Sequence, residues 1–122
     1  MVASDNMDAS VLEISALPED NPVPFLFRRK FEGEHMLIAH VVLKTGCHVP
    51  VHEHVNEQIA FVVSGRVRWT LGHEAREVLV EGGSLVHLPP NCPHGVIALE
   101  DSLIIDILSP PGAMGVDSLP KA

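Results

Sequence analysis

An all-β fold, an antiparallel sandwich or barrel in a single domain, is predicted by three features of this sequence. Short β-rich runs recur at even spacing, turn residues separate them, and no segment carries a convincing amphipathic-helix pattern. The runs are 36–43, 57–64, 66–71, 75–80, 84–88, 94–99 and 102–108. Between them stand Thr45-Gly46, Ser64-Gly65, Leu71-Gly72, Gly82-Gly83, Pro89-Pro90-Asn91 and Glu100-Asp101. Within 66–71, Val67, Trp69 and Leu71 alternate with Arg66, Arg68 and Thr70, the period of a half-buried strand. Only 11–17 is ambiguous between helix and loop.

The chain has 122 residues, 46% of them apolar, which suits one domain with one core. Residues 1–20 read as a partly irregular segment, 21–110 as the barrel and 111–122 as an irregular tail, because paired prolines and glycines do not sit in central strands. Apolar runs such as 59–63 and 103–105 are far too short to cross a bilayer core of about 30 Å. The first residues carry no basic region followed by an apolar run, so a cytoplasmic address is expected, with no membrane partner. The net charge of −8 and the scattered basic residues argue against nucleic acid, which needs a basic stripe. Arg28-Arg29-Lys30, the densest basic run, reads as solvated strand decoration. Two cysteines, Cys47 and Cys92, make no disulfide framework and are expected as free thiols in loops.

The grouping of the eight histidines is more informative. His52-Glu53-His54 places two imidazoles on one face if the segment is extended. Gln58 shares their parity beyond Val55-Asn56, and His94 opens another strand that a barrel can bring opposite. Three imidazoles and one carbonyl oxygen suit a first-row metal with room left for water or substrate. Glu57, the rival ligand, points to the other face of the strand from Gln58. Asp106 is a lone carboxylate in the apolar strand 102–108. It needs a partner or a wet cavity, so it either lines the metal pocket as a general acid or base, or lies at an exposed edge or against an arginine. The pocket is the reading adopted. His40 reads as a satisfied core or outer-face residue, and His35, His48, His73 and His87 are given no role.

These residues resemble the cupin superfamily. Gly46, five residues, His52-X-His54, three residues, Gln58, six residues and Gly65 follow its first motif. Gly83, five residues, Pro89-Pro90-Asn91, two residues and His94 follow its second. Asn91 stands for a glycine, Ala98 for a common asparagine, and Gln58 for the common glutamate. The resemblance implies a single-domain cupin, a double-stranded β-helix or jelly-roll barrel, holding one divalent metal ion (Ni, Zn, Fe, Mn or Co) on His52, His54, Gln58 and His94. With neutral Gln58 the centre keeps its full charge of +2, which favours Lewis-acid chemistry over stabilising an oxidised metal.

The stretches 54–59, 89–96 and 105–110 look most like the small pectin-degradation cupins. Those open the ring of 4,5-unsaturated uronates to keto-uronates. The likeness implies Asp106 as catalytic acid/base, a small polyhydroxy acid as substrate and a homodimer as the assembly. Leu108 stands where that family leads one to expect an aromatic residue. The tail offers no arginine for a sugar carboxylate, leaving Arg28 or Arg29 as substrate-binding candidates. The alternatives are a mononuclear metal dioxygenase, like the quercetinase cupins, and a non-catalytic metal-dependent sensor of small molecules.

Overall fold

The computed structural model describes residues 8–119, so the ends of the expected N-terminal and C-terminal segments, 1–7 and 120–122, lie outside the described residues. Two antiparallel sheets face each other as a jelly roll. Strands β1 (Glu19–Asp20), β2 (Leu26–Glu32), β3 (Leu37–Leu43), β10 (Ser102–Ser109), β5 (Glu57–Ser64) and β8 (Ser84–Leu88) form the larger sheet in the order β1-β2-β3-β10-β5-β8. The smaller sheet runs β4 (His48–His52), β9 (His94–Ala98), β6 (Arg66–Leu71) and β7 (Arg76–Glu81). Chain-distant strands lie side by side, with β10 paired to both β3 and β5.

All seven runs predicted from the sequence are strands, with ends moved by no more than one residue. Three strands had no clear signal. β1 has only two residues. β2 breaks the apolar alternation because its inward positions are Leu26 and Arg28, and a buried arginine looks like surface. β4 contains Pro50, which reads as a breaker, yet β4 is the edge of its sheet, where a missing N–H is tolerated.

The inward face of each strand builds the core. In β10 the buried positions are Ser102, Ile104, Asp106 and Leu108, and in β5 they are Gln58, Ala60 and Val62. β5 thus sets Gln58 at one end with Ala60 and Val62 beyond it, and β10 sets Asp106 between Ile104 and Leu108. Asn91 takes the left-handed backbone with φ 62°, the conformation a glycine would supply at this motif position. Its N–H donates to the His54 carbonyl at 2.8 Å, tying the loop before β9 to the loop before β5. Gly65 is needed twice over. Its φ is +96°, and a Cβ there would come 2.1 Å from Ser102 Oγ.

The tail departs from the expectation of an irregular segment. Residues Gly115–Ser118 form a 3-10 turn, and Met114, Gly115 and Val116 are buried against the barrel. Cys47 and Cys92 are free thiols in loops. Cys47 is fully buried, which pushes its thiol up to about 11.

Candidate metal centre

His52 ends β4, His54 lies two residues beyond it, Gln58 is the second residue of β5 and His94 begins β9. The register sets His52 directly opposite His94. Ring centroids are 4.4 Å apart for His52 and His94, 5.0 Å for His54 and His94, and 6.2 Å for His52 and His54. One ring nitrogen from each of the three lies within 4.8 Å of the others.

Backbone carbonyls fix the tautomers. Each Nδ1 faces a carbonyl oxygen: Pro50 at 2.8 Å for His52, Asn56 at 3.0 Å for His54 and Cys92 at 2.9 Å for His94. A carbonyl only accepts, so each Nδ1 carries the proton and each Nε2 presents a lone pair. Gln58 Oε1, a further acceptor, lies 2.9 Å from His54 Nε2. Lone pairs without a donor among them call for a cation, and a set of three imidazoles and one amide oxygen fits a divalent first-row metal. Burial, opposed by the Cys92 carbonyl and aided by His52 and His54, lowers His94 to about 4. Burial also lowers His52, with the Pro50 carbonyl opposing and His54 assisting. Both rings are thereby neutral near pH 7, the form a metal binds.

Gln58 also reaches the other way. Its Nε2 donates to Asp106 Oδ1 at 2.9 Å, and both residues are buried. Burial pushes the Asp106 carboxyl up to about 7, with the Gln58 hydrogen bond pulling weakly against it. The amide thus turns its oxygen toward the histidines and its nitrogen toward the carboxylate. Glu57 points outward, where its carboxylate meets His87 Nε2 at 2.6 Å, both side chains half exposed.

His52, Gln58, His94 and Asp106 line one cavity with Leu26, Trp69, Met114, Gly115 and others, and its space for water centres is about 60 Å³. Neither Arg28 nor Arg29 is among its lining residues. Arg28 is buried and bound to Asp20 and Asp117, while Arg29 donates to the Leu17 carbonyl and pairs with Glu19.

Two features had no reading in the sequence. Trp69 Nε1 is buried without a hydrogen-bond partner, unlike every other buried side-chain nitrogen or oxygen among the described residues. Its ring lies 6.5 Å from that of His94. The inward parity of Trp69 was legible, but its orphaned N–H depends on neighbours from other strands. The second feature is the tail at the cavity. A Cβ on Gly115 would come 1.8 Å from His52 Cδ2, so only glycine packs there.

Known structures resemble this chain along most of its length. KdgF from Halomonas sp. is 26% identical, with a TM-score of 0.79 over 86% of this chain and 96% of that one. An RmlC-like cupin from Shewanella frigidimarina NCIMB 400 is 18% identical, with a TM-score of 0.78 over 85% and 93%. Oxalate decarboxylase from Bacillus subtilis is 19% identical, with a TM-score of 0.73 over 88% of this chain but 32% of the larger one. No curated protein sequence matches the chain at a significant level. No helix among the described residues is long and apolar enough to cross a membrane. The model of the cupin domain matches residues 39–108, more than half of the chain and the span holding every candidate ligand together with Asp106, and on that match this chain belongs to the cupin family.

Proposed function

We propose that this chain is a metal-dependent, non-redox enzyme that opens the ring of 4,5-unsaturated uronates to keto-uronates. One observation carries the reading: Gln58 joins a buried acid/base to the metal cluster, its oxygen 2.9 Å from His54 Nε2 and its amide nitrogen 2.9 Å from Asp106 Oδ1. His52, His54, Gln58 and His94 would hold the ion. When bound, a divalent ion supplies Lewis-acid polarisation of a hydroxyl or carboxylate oxygen, and four neutral donors leave its charge undiminished.

The remaining chemistry falls to the chain's own groups. Asp106, with its carboxyl near neutrality, is suited to exchange protons at pH 7. It takes the proton of the anomeric hydroxyl as the ring C–O bond breaks, which leaves an aldehyde and an enolate. It then returns that proton to carbon as the enolate becomes the ketone. Gln58 positions Asp106 through its amide, and the apolar walls of the cavity limit competing water. Trp69 Nε1 is a free donor for a substrate oxygen. The likeness to KdgF from Halomonas sp., along 96% of that chain, supports the choice of substrate.

The test is direct. Metal-restored protein is incubated with 4,5-unsaturated galacturonate, and the ultraviolet absorbance of the double bond conjugated to the carboxylate is followed. Accelerated loss that disappears on chelation is expected. Decay no faster than the spontaneous reaction would overturn the assignment.

A further inference from the structure

Arg28 has both edges of its guanidinium filled. Nε and Nη2 donate to Asp20 Oδ1 and Oδ2 at 3.1 and 2.8 Å, and Nη1 and Nη2 donate to Asp117 Oδ2 and Oδ1 at 3.1 and 2.8 Å. One cation therefore serves two carboxylates. Their settings differ. Asp20 belongs to β1, which is paired to β2 in register Asp20 with Arg28. Asp117 belongs to the 3-10 turn of the tail, outside both sheets.

That turn sits on the metal cavity. Met114, Gly115 and Val116 line it. Met114 Sδ is 3.6 Å from Arg28 Nη1, and Gly115 lies against His52. The Met114-Gly115 pair therefore touches Arg28 at one residue and the histidine cluster at the next. Two further cavity residues adjoin Arg28. Leu26 precedes it on the same face of β2, and Val41 is its register partner on β3. The turn forms one wall of this cavity, whose space for water centres is about 60 Å³.

We propose that Met114–Ser118 is a displaceable stopper, and that Asp117 occupies on Arg28 the place of an acidic ligand's carboxylate. This rests on the reading above that the ligand is a small acid. Exchanging one carboxylate for another leaves the local charge unchanged, and Asp20 keeps the guanidinium oriented throughout. The vacated edge, Nη1 and Nη2, is a planar fork suited to bidentate carboxylate binding. Lifting the turn enlarges the cavity beside His52 and uncovers that edge in the same movement. The sequence thus carries a carboxylate receptor that its own tail fills.

The experiment uses the full chain loaded with zinc, D-galacturonate as probe and D-galactose as its neutral counterpart. Trp69 is the sole tryptophan and lines the cavity, so its fluorescence reports binding. Asp117→Asn keeps the side-chain shape and the acceptor for the Met114 N–H, but removes the charge that holds the tail. Apparent affinity scales with the fraction of open protein, so Asp117→Asn is expected to bind galacturonate about tenfold more tightly. Galactose, which has no carboxylate for Arg28, is expected to bind both proteins more weakly than galacturonate does. In the unsubstituted protein, saturating galacturonate is expected to speed hydrogen exchange at residues 114–119. Unchanged or weaker galacturonate binding by Asp117→Asn, including no binding by either protein, overturns the stopper. So does tail exchange that is unaltered or slowed. The two proposals fail separately. Ring opening without the Asp117→Asn effect removes the stopper alone, and the Asp117→Asn effect without ring opening removes the reaction alone.

Discussion

Replacing Asp106 with Asn in metal-stripped protein tests the central electrostatic argument. Burial pushes this carboxyl from 3.8 to about 7, so the folded chain binds its proton far more tightly than the unfolded chain does. A tenfold change in proton affinity is worth about 1.4 kcal/mol, so the displacement corresponds to at most about 4 kcal/mol. The sign follows from proton counting. Between about pH 4 and pH 7 the folded state holds a proton that the unfolded state has lost, so Asp106 makes the protein less stable as pH rises. Below about pH 4 both states are protonated and the penalty vanishes, and above about pH 7 it is at its full value. His52 and His94, lowered by burial, act with the opposite slope over part of this range, so the comparison must be between the two proteins. Asn keeps the hydrogen bond from Gln58 Nε2 and carries no charge. Its new N–H group offsets part of the gain if it finds no acceptor, by about 1–3 kcal/mol. Urea unfolding in chelator at several pH values is expected to show Asp106→Asn equal to the unsubstituted protein, or up to about 3 kcal/mol less stable, near pH 4. Near pH 8, Asp106→Asn should be the more stable by about 1–4 kcal/mol. A difference that does not change with pH, or an Asn variant that loses stability as pH rises, would refute the buried-carboxyl argument.

Other outcomes follow from the same geometry. Gly115→Ala drives a methyl into His52 and is expected to lower stability by about 1–3 kcal/mol in thermal melts. Gly112→Ala meets nothing nearer than Asn56 Nδ2 at 3.5 Å and serves as the neutral control. Trp69→Phe keeps most of the ring but removes the free N–H, so in the ring-opening assay KM should rise about threefold to tenfold. Metal content of Gln58→Ala should fall while that of Glu57→Ala stays intact, measured by elemental analysis, because Glu57 faces away from the histidines. On the outer face of the larger sheet, Ile38, Ile107 and Ile59 form one row across three strands, and Phe61 pairs with Leu85 beside it, all exposed. Pairing of two copies through this face would make Phe61→Glu a monomer in sedimentation velocity, and an unchanged sedimentation profile would refute it.

Local pattern determined much of this protein. Strand period and turn chemistry act over a few residues, so seven strands could be placed before any fold was known. The spacing from Gly46 to Gly65 and from Gly83 to His94 marked the candidate ligands, three of which the fold gathers within 4.8 Å of one another. Motif spacing and strand parity together separated Gln58 from Glu57. The lone carboxylate of 102–108 was legible as a group in need of a wet or paired setting. What the tertiary structure decided involves residues far apart in the chain. Arg28 looked like surface decoration because nothing local shows that Asp20 and Asp117 converge on it, the latter from 89 positions away. The tail looked irregular because its order comes from packing Gly115 onto His52, not from any helix or strand propensity of its own. The orphaned N–H of Trp69, the proton affinity of Asp106 and the two-way grip of Gln58 all depend on desolvation and contact across sheets. Those are properties of the assembled barrel, and no window of sequence contains them.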